Sequence, residues 1–198
     1  QLPWRAAVVG LSDRIDFIPI QTQPLGADNR DAIMVSRPGT LAPAIIRILE
    51  TGEEVIIVSL YSTWASPISY TKSNLLYADA SAHRLISDLS ALIGRQKGHK
   101  IIAAGDLNLL YGYGEHGSQY WKGRYDTVFS RMEALGLRFV GPQAPDGGMQ
   151  ASPWPEELPT DSLNVPTFRT NKSKPETATR QLDYVFASES IADRVSVR

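Results

Sequence analysis

Ile101-Ile102-Ala103-Ala104-Gly105-Asp106-Leu107-Asn108 is an apolar run of the kind buried inside a sheet, and it stops abruptly at Gly-Asp-Leu-Asn. Side chains alternate faces along a strand, so the Asp106 carboxylate and the Asn108 carboxamide project to the same side. At the end of a strand, that side is open to an ion or a phosphate. The same letters also suit a plain turn, because Asp and Asn are common turn residues and short motifs recur by chance.

Two further segments narrow the choice. Val58-Ser59-Leu60-Tyr61-Ser62 lies upstream and Arg180-Gln181-Leu182-Asp183-Tyr184-Val185-Phe186-Ala187-Ser188 downstream. Each is an apolar strand carrying a polar residue at a similar place. In this order, from roughly residue 32 to 188, the chain resembles the endonuclease/exonuclease/phosphatase superfamily. That group includes abasic-site endonucleases, deoxyribonucleases, sphingomyelinases and phosphoinositide phosphatases. The resemblance implies an α/β fold, a two-sheet sandwich flanked by helices, and metal-dependent phosphoester hydrolysis. A nucleic-acid phosphodiester is the leading substrate, which would make the parent protein a nuclease. A phospholipid or sugar-phosphate substrate stands second, and a catalytically inactive binding domain is the rival from another class.

By that resemblance Asp106 positions or deprotonates the attacking water. Asn108 donates to the scissile phosphate and joins the metal network. Asp183 orients a histidine on the phosphate, and Tyr61 contacts the phosphate. Asp183 could instead cap a turn or pair with Arg180, and Tyr61 could be an ordinary sheet aromatic. Hydrolysis of a phosphodiester requires an activated water and compensation of charge on the phosphoryl oxygens, which a divalent cation supplies. Hard oxygen donors such as Asp106 and Asn108 favour magnesium or manganese.

Two departures from the family pattern stand out. Its Gln-Glu strand, whose glutamate is the principal metal ligand, and its closing Ser-Asp-His motif are both missing. Asp16-Phe17-Ile18-Pro19-Ile20-Gln21 imitates the first, but Thr22 occupies the glutamate's place, and the likeness is read as coincidence. Residues 1–198 are therefore expected to form a single, partial domain, inactive or weakly active alone. Apolar strand edges left open by missing strands predict self-association.

Composition permits this reading. With 198 residues, 42% of them hydrophobic and 21% charged, one sizeable core can form. A net charge of −1 gives no global attraction to a polyanion, so nucleic-acid binding needs a local basic patch. Arg169, Lys172, Lys174 and Arg180 form the best such patch, with Lys172 and Arg180 as candidate substrate contacts. No cysteine is present, which excludes disulfides, thiolate metal sites and a cysteine nucleophile and leaves the compartment open, with the cytoplasm favoured. Apolar runs such as Val55 to Leu60 are strand-sized, far short of the ~20 residues of a membrane span.

Periodicity places the remaining elements. Ile15 to Ile20 and Ala32 to Ser36 read as strands, while Leu41 to Leu49 and Glu54 to Ser62 read as an antiparallel hairpin around Thr51-Gly52. Asp79 to Arg95 reads as a helix with Ala82, Leu85, Ile86 and Leu89 on one face, and Gly123 to Leu135 as another with Gly136 as cap. Leu137 to Val140 reads as a strand, and Pro142 to Pro166, with six prolines, as a long surface loop. His83 and His99 read as boundary residues, and His116, in the glycine-rich Gly112 to Gly117 turn, as a loop residue within reach of the cleft. Tyr111, Tyr113, Tyr120 and Trp121 read as anchors of that turn, some of which could stack on a base.

Overall fold

The computed structural model describes residues 5–67, 69–72, 77–94, 98–172 and 174–198; Arg95, the expected end of the first helix, lies outside them. In chain order the strands are β1 (Ile15–Pro19), β2 (Thr22–Pro24), β3 (Ile33–Val35), β4 (Leu41–Ile48), β5 (Glu54–Tyr61), β6 (Ile101–Asp106), β7 (Leu137–Gly141) and β8 (Asp183–Ser188). The helices are α1 (Ala78–Leu89) and α2 (Gln119–Ala134). The expected hairpin is the pair β4 and β5, with Leu41 opposite Leu60 and Ile46 opposite Val55. From it a six-stranded sheet grows in the order β1-β4-β5-β6-β8-β7, and β2 and β3 form a small second sheet. The α/β class is as expected; the second sheet amounts to two three-residue strands.

Strand alternation gives the large sheet two unlike faces. Val58 and Leu60 of β5, Ile101 and Ala103 of β6, Tyr184 and Phe186 of β8 and Leu137 of β7 belong to a core shared with both helices. α1 contributes Ala82, Leu85, Ile86 and Leu89, the face its spacing predicts, and α2 contributes Tyr125, Val128, Phe129 and Met132. Full burial of such side chains is worth about 1.5–3 kcal/mol each. Phe129 is the hub, with Tyr111, Tyr184, Phe186 and Phe139 at centroid distances of 4.6–6.0 Å.

Polar contacts fix the boundaries. α2 starts at Gln119, ahead of the expected Gly123, because the Ser118 side chain accepts from the Trp121 amide and caps it. α1 tightens after Leu89 into a 3-10 turn, where the Ser90 hydroxyl donates to the Ile86 or Ser87 carbonyl. Asp88 accepts from both the Ser36 amide and hydroxyl, tying β3 to α1. The segment from Pro142 to Pro166 is an irregular loop as expected, but it is packed down. Leu158 is buried, Asn164 donates to the Tyr111 carbonyl, and buried Gln181 donates to the Pro142 carbonyl while accepting from the Val165 amide. Among the described residues, no helix is long and apolar enough to cross a membrane.

Candidate active site

Tyr61, Asp106 and Asp183 form a row across the face of the sheet opposite the helices. The parallel register of β5 and β6 sets Tyr61 beside Asp106, and the antiparallel register of β6 and β8 sets Asp106 opposite Asp183. Residues that share a pleat share a face, so the three side chains project together. They line a cleft of about 540 Å³ with Asn108, Trp64, Phe168 and Arg5. All four catalytic candidates read from the sequence thus meet in one place.

The chain turns sharply after Asp106. Asn108 sits at φ 53°, in the left-handed region that asparagine tolerates better than most residues. Its side chain secures the turn: Nδ2 donates to the Ser62 carbonyl at 2.7 Å and to Asp106 Oδ2 at 3.0 Å, and its own amide donates to Asp106 Oδ1 at 2.7 Å. Asn108 Oδ1 accepts from the indole N–H of Trp64. Both amide hydrogens are therefore engaged within the chain. In this arrangement Asn108 orients Asp106 instead of offering a free donor to phosphate, and its oxygen keeps one lone pair.

Two carboxylates directly opposite on neighbouring strands repel each other. Among the described residues, no lysine, arginine or histidine comes within ion-pair distance of either. Burial pushes the Asp106 carboxyl up to about 6, and the Asp183 charge pushes the same way against the hydrogen bonds from Asn108. Unpaired, hard, anionic oxygens of this kind suit a divalent cation. No group of three or more acidic or histidine side chains gathers among the described residues, so Asp106 and Asp183 are the anionic donors on offer.

The other predicted contacts fall elsewhere. Arg180 turns from the cleft to pair with Glu115 at 3.0 Å, because Glu115 lies beside it on the turn before α2. Lys172 is exposed on a turn and does not line the cleft. His83 hydrogen-bonds Thr127, and His99 bridges the Leu135 carbonyl and the Ser188 hydroxyl, so both serve the scaffold. His116 lines a neighbouring cavity. No histidine forms an ion pair with Asp183 among the described residues. Tyr113 is a buried core aromatic and Tyr111 is partly buried with its ring packed against Phe129 and Phe139, and neither lines the cleft.

Sequence reasoning missed Trp64 and Arg5. A tryptophan in the polar segment directly after the Tyr61 strand was a usable signal. For Arg5 there was none, since its position depends on the N-terminal segment returning to the sheet through the Ala6 amide and the Gly39 carbonyl.

Tyr184 supports the site from below. Its buried hydroxyl lies 2.8 Å from the Leu109 carbonyl and 2.7 Å from that of Gln181, so it braces the ends of both carboxylate-bearing strands. Tyr184→Phe leaves those buried carbonyls short of a donor and is expected to cost about 1–3 kcal/mol. Thermal unfolding should show a midpoint roughly 3–10 °C lower; an unchanged midpoint would remove the brace.

No protein-family model matches the sequence. No curated protein matches it either. Among solved structures, an AP endonuclease from Leishmania major is similar at a TM-score of 0.50 and 14% identity, over 93% of this chain and 65% of that one. The catalytic domain of human Nocturnin (TM-score 0.41, 14% identity, 93% of this chain and 49% of that one) and a mannosyl-6-phosphatase from Bacteroides thetaiotaomicron (0.42, 16%, 90% and 55%) are also similar. The likeness to the AP endonuclease shows that the chain has the endonuclease/exonuclease/phosphatase type of fold. The chain spans from about half to just under two thirds of the length of these proteins.

Proposed function

We propose that the cleft of Tyr61, Asp106, Asn108 and Asp183 is the site of a magnesium- or manganese-dependent phosphoester hydrolase whose substrate is a nucleic-acid phosphodiester. The observation that supports it is the facing Asp106–Asp183 pair, two like charges set on adjacent strands with no ion-pair partner for either among the described residues. Asp106 and Asp183 would hold the cation, with the remaining lone pair of Asn108 as a third oxygen. A cation there supplies positive charge against the phosphoryl oxygens as negative charge builds on them. Asp106, with its carboxyl near 6 in the cation-free chain, is ionised at neutral pH and would position the attacking water or take its proton. Asn108 keeps that carboxylate aimed, and Tyr61 and Arg5, two residues that line the cleft, would meet the phosphate oxygens with their hydroxyl and guanidinium.

A second reading, a binding domain that keeps the fold without the reaction, draws on one observation: among the described residues only two anionic donors face each other, a sparse set for holding a cation. Incubating the chain with a single-stranded oligonucleotide, an abasic-site duplex, a sugar phosphate and a choline phospholipid, with magnesium, manganese or chelator, separates the readings. Cleavage of nucleic acid that disappears with chelator is the expected result. Oligonucleotide binding without cleavage favours the binding domain, and faster turnover of the sugar phosphate or the lipid overturns the substrate assignment.

A further inference from the structure

Beside the cleft lies a second cavity of about 360 Å³, lined by Trp64, Asn108, Glu115, His116, Trp121 and Arg180 among others. That volume falls in the range of small-ligand sites. The hydrogen-bonded pair Trp64 and Asn108 is common to both cavities and forms the divide between them. A substrate with its phosphoester at Asp106 therefore meets this cavity next.

Its walls are of two kinds. Trp64 is 46% exposed and takes no part in the hydrophobic core, so its ring is open to a ligand. Trp121 is held in place: it stacks on Tyr125 with centroids 6.0 Å apart at 28°, and the Arg124 guanidinium lies 5.5 Å from its ring. An indole fixed in this way is ordered before a ligand arrives, so binding loses little side-chain freedom. The rim is polar, made of the half-buried Glu115–Arg180 pair and exposed His116, and it offers both acceptors and donors.

We infer that this cavity is a subsite for an unstacked nucleobase, the purine or pyrimidine next to the phosphoester in the cleft. A nucleobase has π faces for the indoles and an edge of donors and acceptors for Glu115, Arg180 and His116. A sugar phosphate lacks the faces, and a lipid chain lacks the edge. A base held against these rings has left its duplex stack, so single-stranded or extruded bases are the ligand class. This inference rests on the hydrolase reading for its orientation, and it fixes the substrate class of that site.

The test follows the indole N–H resonances of the whole chain by NMR during titration with adenosine monophosphate, cytidine monophosphate, ribose 5-phosphate and phosphocholine. Both nucleotides should shift the Trp64 and Trp121 signals and bind about ten-fold or more tightly than ribose 5-phosphate. Trp121→Ala should remove about ten-fold of that affinity. Because that variant also trims packing against Tyr125, His116→Gly provides a second probe: His116 sits at φ 53° on an exposed turn, where glycine is at ease, so the fold is kept and only the ring is lost. It should weaken nucleotides several-fold and leave ribose 5-phosphate unchanged. Equal affinity for ribose 5-phosphate and the nucleotides, or nucleotide affinity indifferent to both variants, overturns the subsite. Cation-dependent hydrolysis alongside such indifference keeps the hydrolase and discards the subsite. Nucleotide binding at the indoles without hydrolysis does the reverse.

Discussion

Asp106→Asn is expected to abolish the proposed cation-dependent phosphoester hydrolysis and to flatten the pH dependence of stability. Loss of a positioned base typically costs 10²–10⁴-fold, and loss of one of two anionic donors to the cation adds to it. The stability effect follows from the sign of the shift. The folded-state carboxyl titrates at about 6 against an ordinary 3.8, so the folded chain holds that proton more tightly than the unfolded one. The resulting stabilisation is complete below about pH 4 and is lost as pH rises through about 6. Two pH units correspond to a few kcal/mol, which partial exposure of the cleft reduces to about 1–2 kcal/mol. Asparagine removes this titration, although its amide then faces the Asn108 amide and forfeits one hydrogen bond. Melting curves from pH 4 to 7 in chelator should therefore slope downward for the native chain and run flatter for the variant. Parallel slopes would mean that Asp106 does not carry the shift.

Gly105→Ala is expected to prevent the sheet from forming. Gly105 has φ +150°, and a Cβ at this position would come within 1.9 Å of the Leu60 carbonyl oxygen and 2.8 Å of its carbon. Both contacts are to backbone of the strand directly paired with it, so no side-chain rotation relieves them. Forcing β5 and β6 apart breaks the central pairing and displaces Tyr61 from Asp106. A cost above about 4 kcal/mol is in order, since backbone displacement is added to an unfavourable φ. Circular dichroism and expression yield check it: a variant with native melting behaviour would show that the two strands are not in such close contact. The glycine of Gly105-Asp106-Leu107-Asn108 therefore has a steric role, and the short motif records the spacing of two strands as well as the chemistry of one.

Local periodicity explains how much of this was legible in the residues. The faces of α1 and α2 and the β4–β5 hairpin were visible because burial on one side imposes a repeat of 3.6 or 2 on the amino acids. The row of Tyr61, Asp106 and Asp183 was legible as a pattern of three polar residues at the ends of apolar strands. Their adjacency was not, because it depends on strand order, and β7 joins the sheet beyond β8 although it precedes it in the chain. The same gap explains Arg180, whose neighbour in space is Glu115 and not the phosphate side of Asp183. It explains Tyr111 and Trp121 too: similar in the sequence, one packs against Phe129 and Phe139 and the other lines the cavity that shares Trp64 and Asn108 with the cleft. The start of α2 was misplaced because Ser118 was not recognised as its cap, and the Pro142 to Pro166 loop was taken for a surface feature because the buried amides of Gln181 and Asn164 that hold it lie outside it or near its end.

The most direct measurement is calorimetric titration of magnesium and manganese into the native chain and into Asp106→Asn, at pH 5 and pH 7. Paired carboxylates that hold a cation should bind at pH 7, bind more weakly at pH 5 where Asp106 is largely protonated, release protons near pH 6, and lose binding in the variant. The same weak heat for both proteins at both pH values would contradict a cation site at Asp106 and Asp183, and with it the assignment of the cleft to metal-dependent hydrolysis.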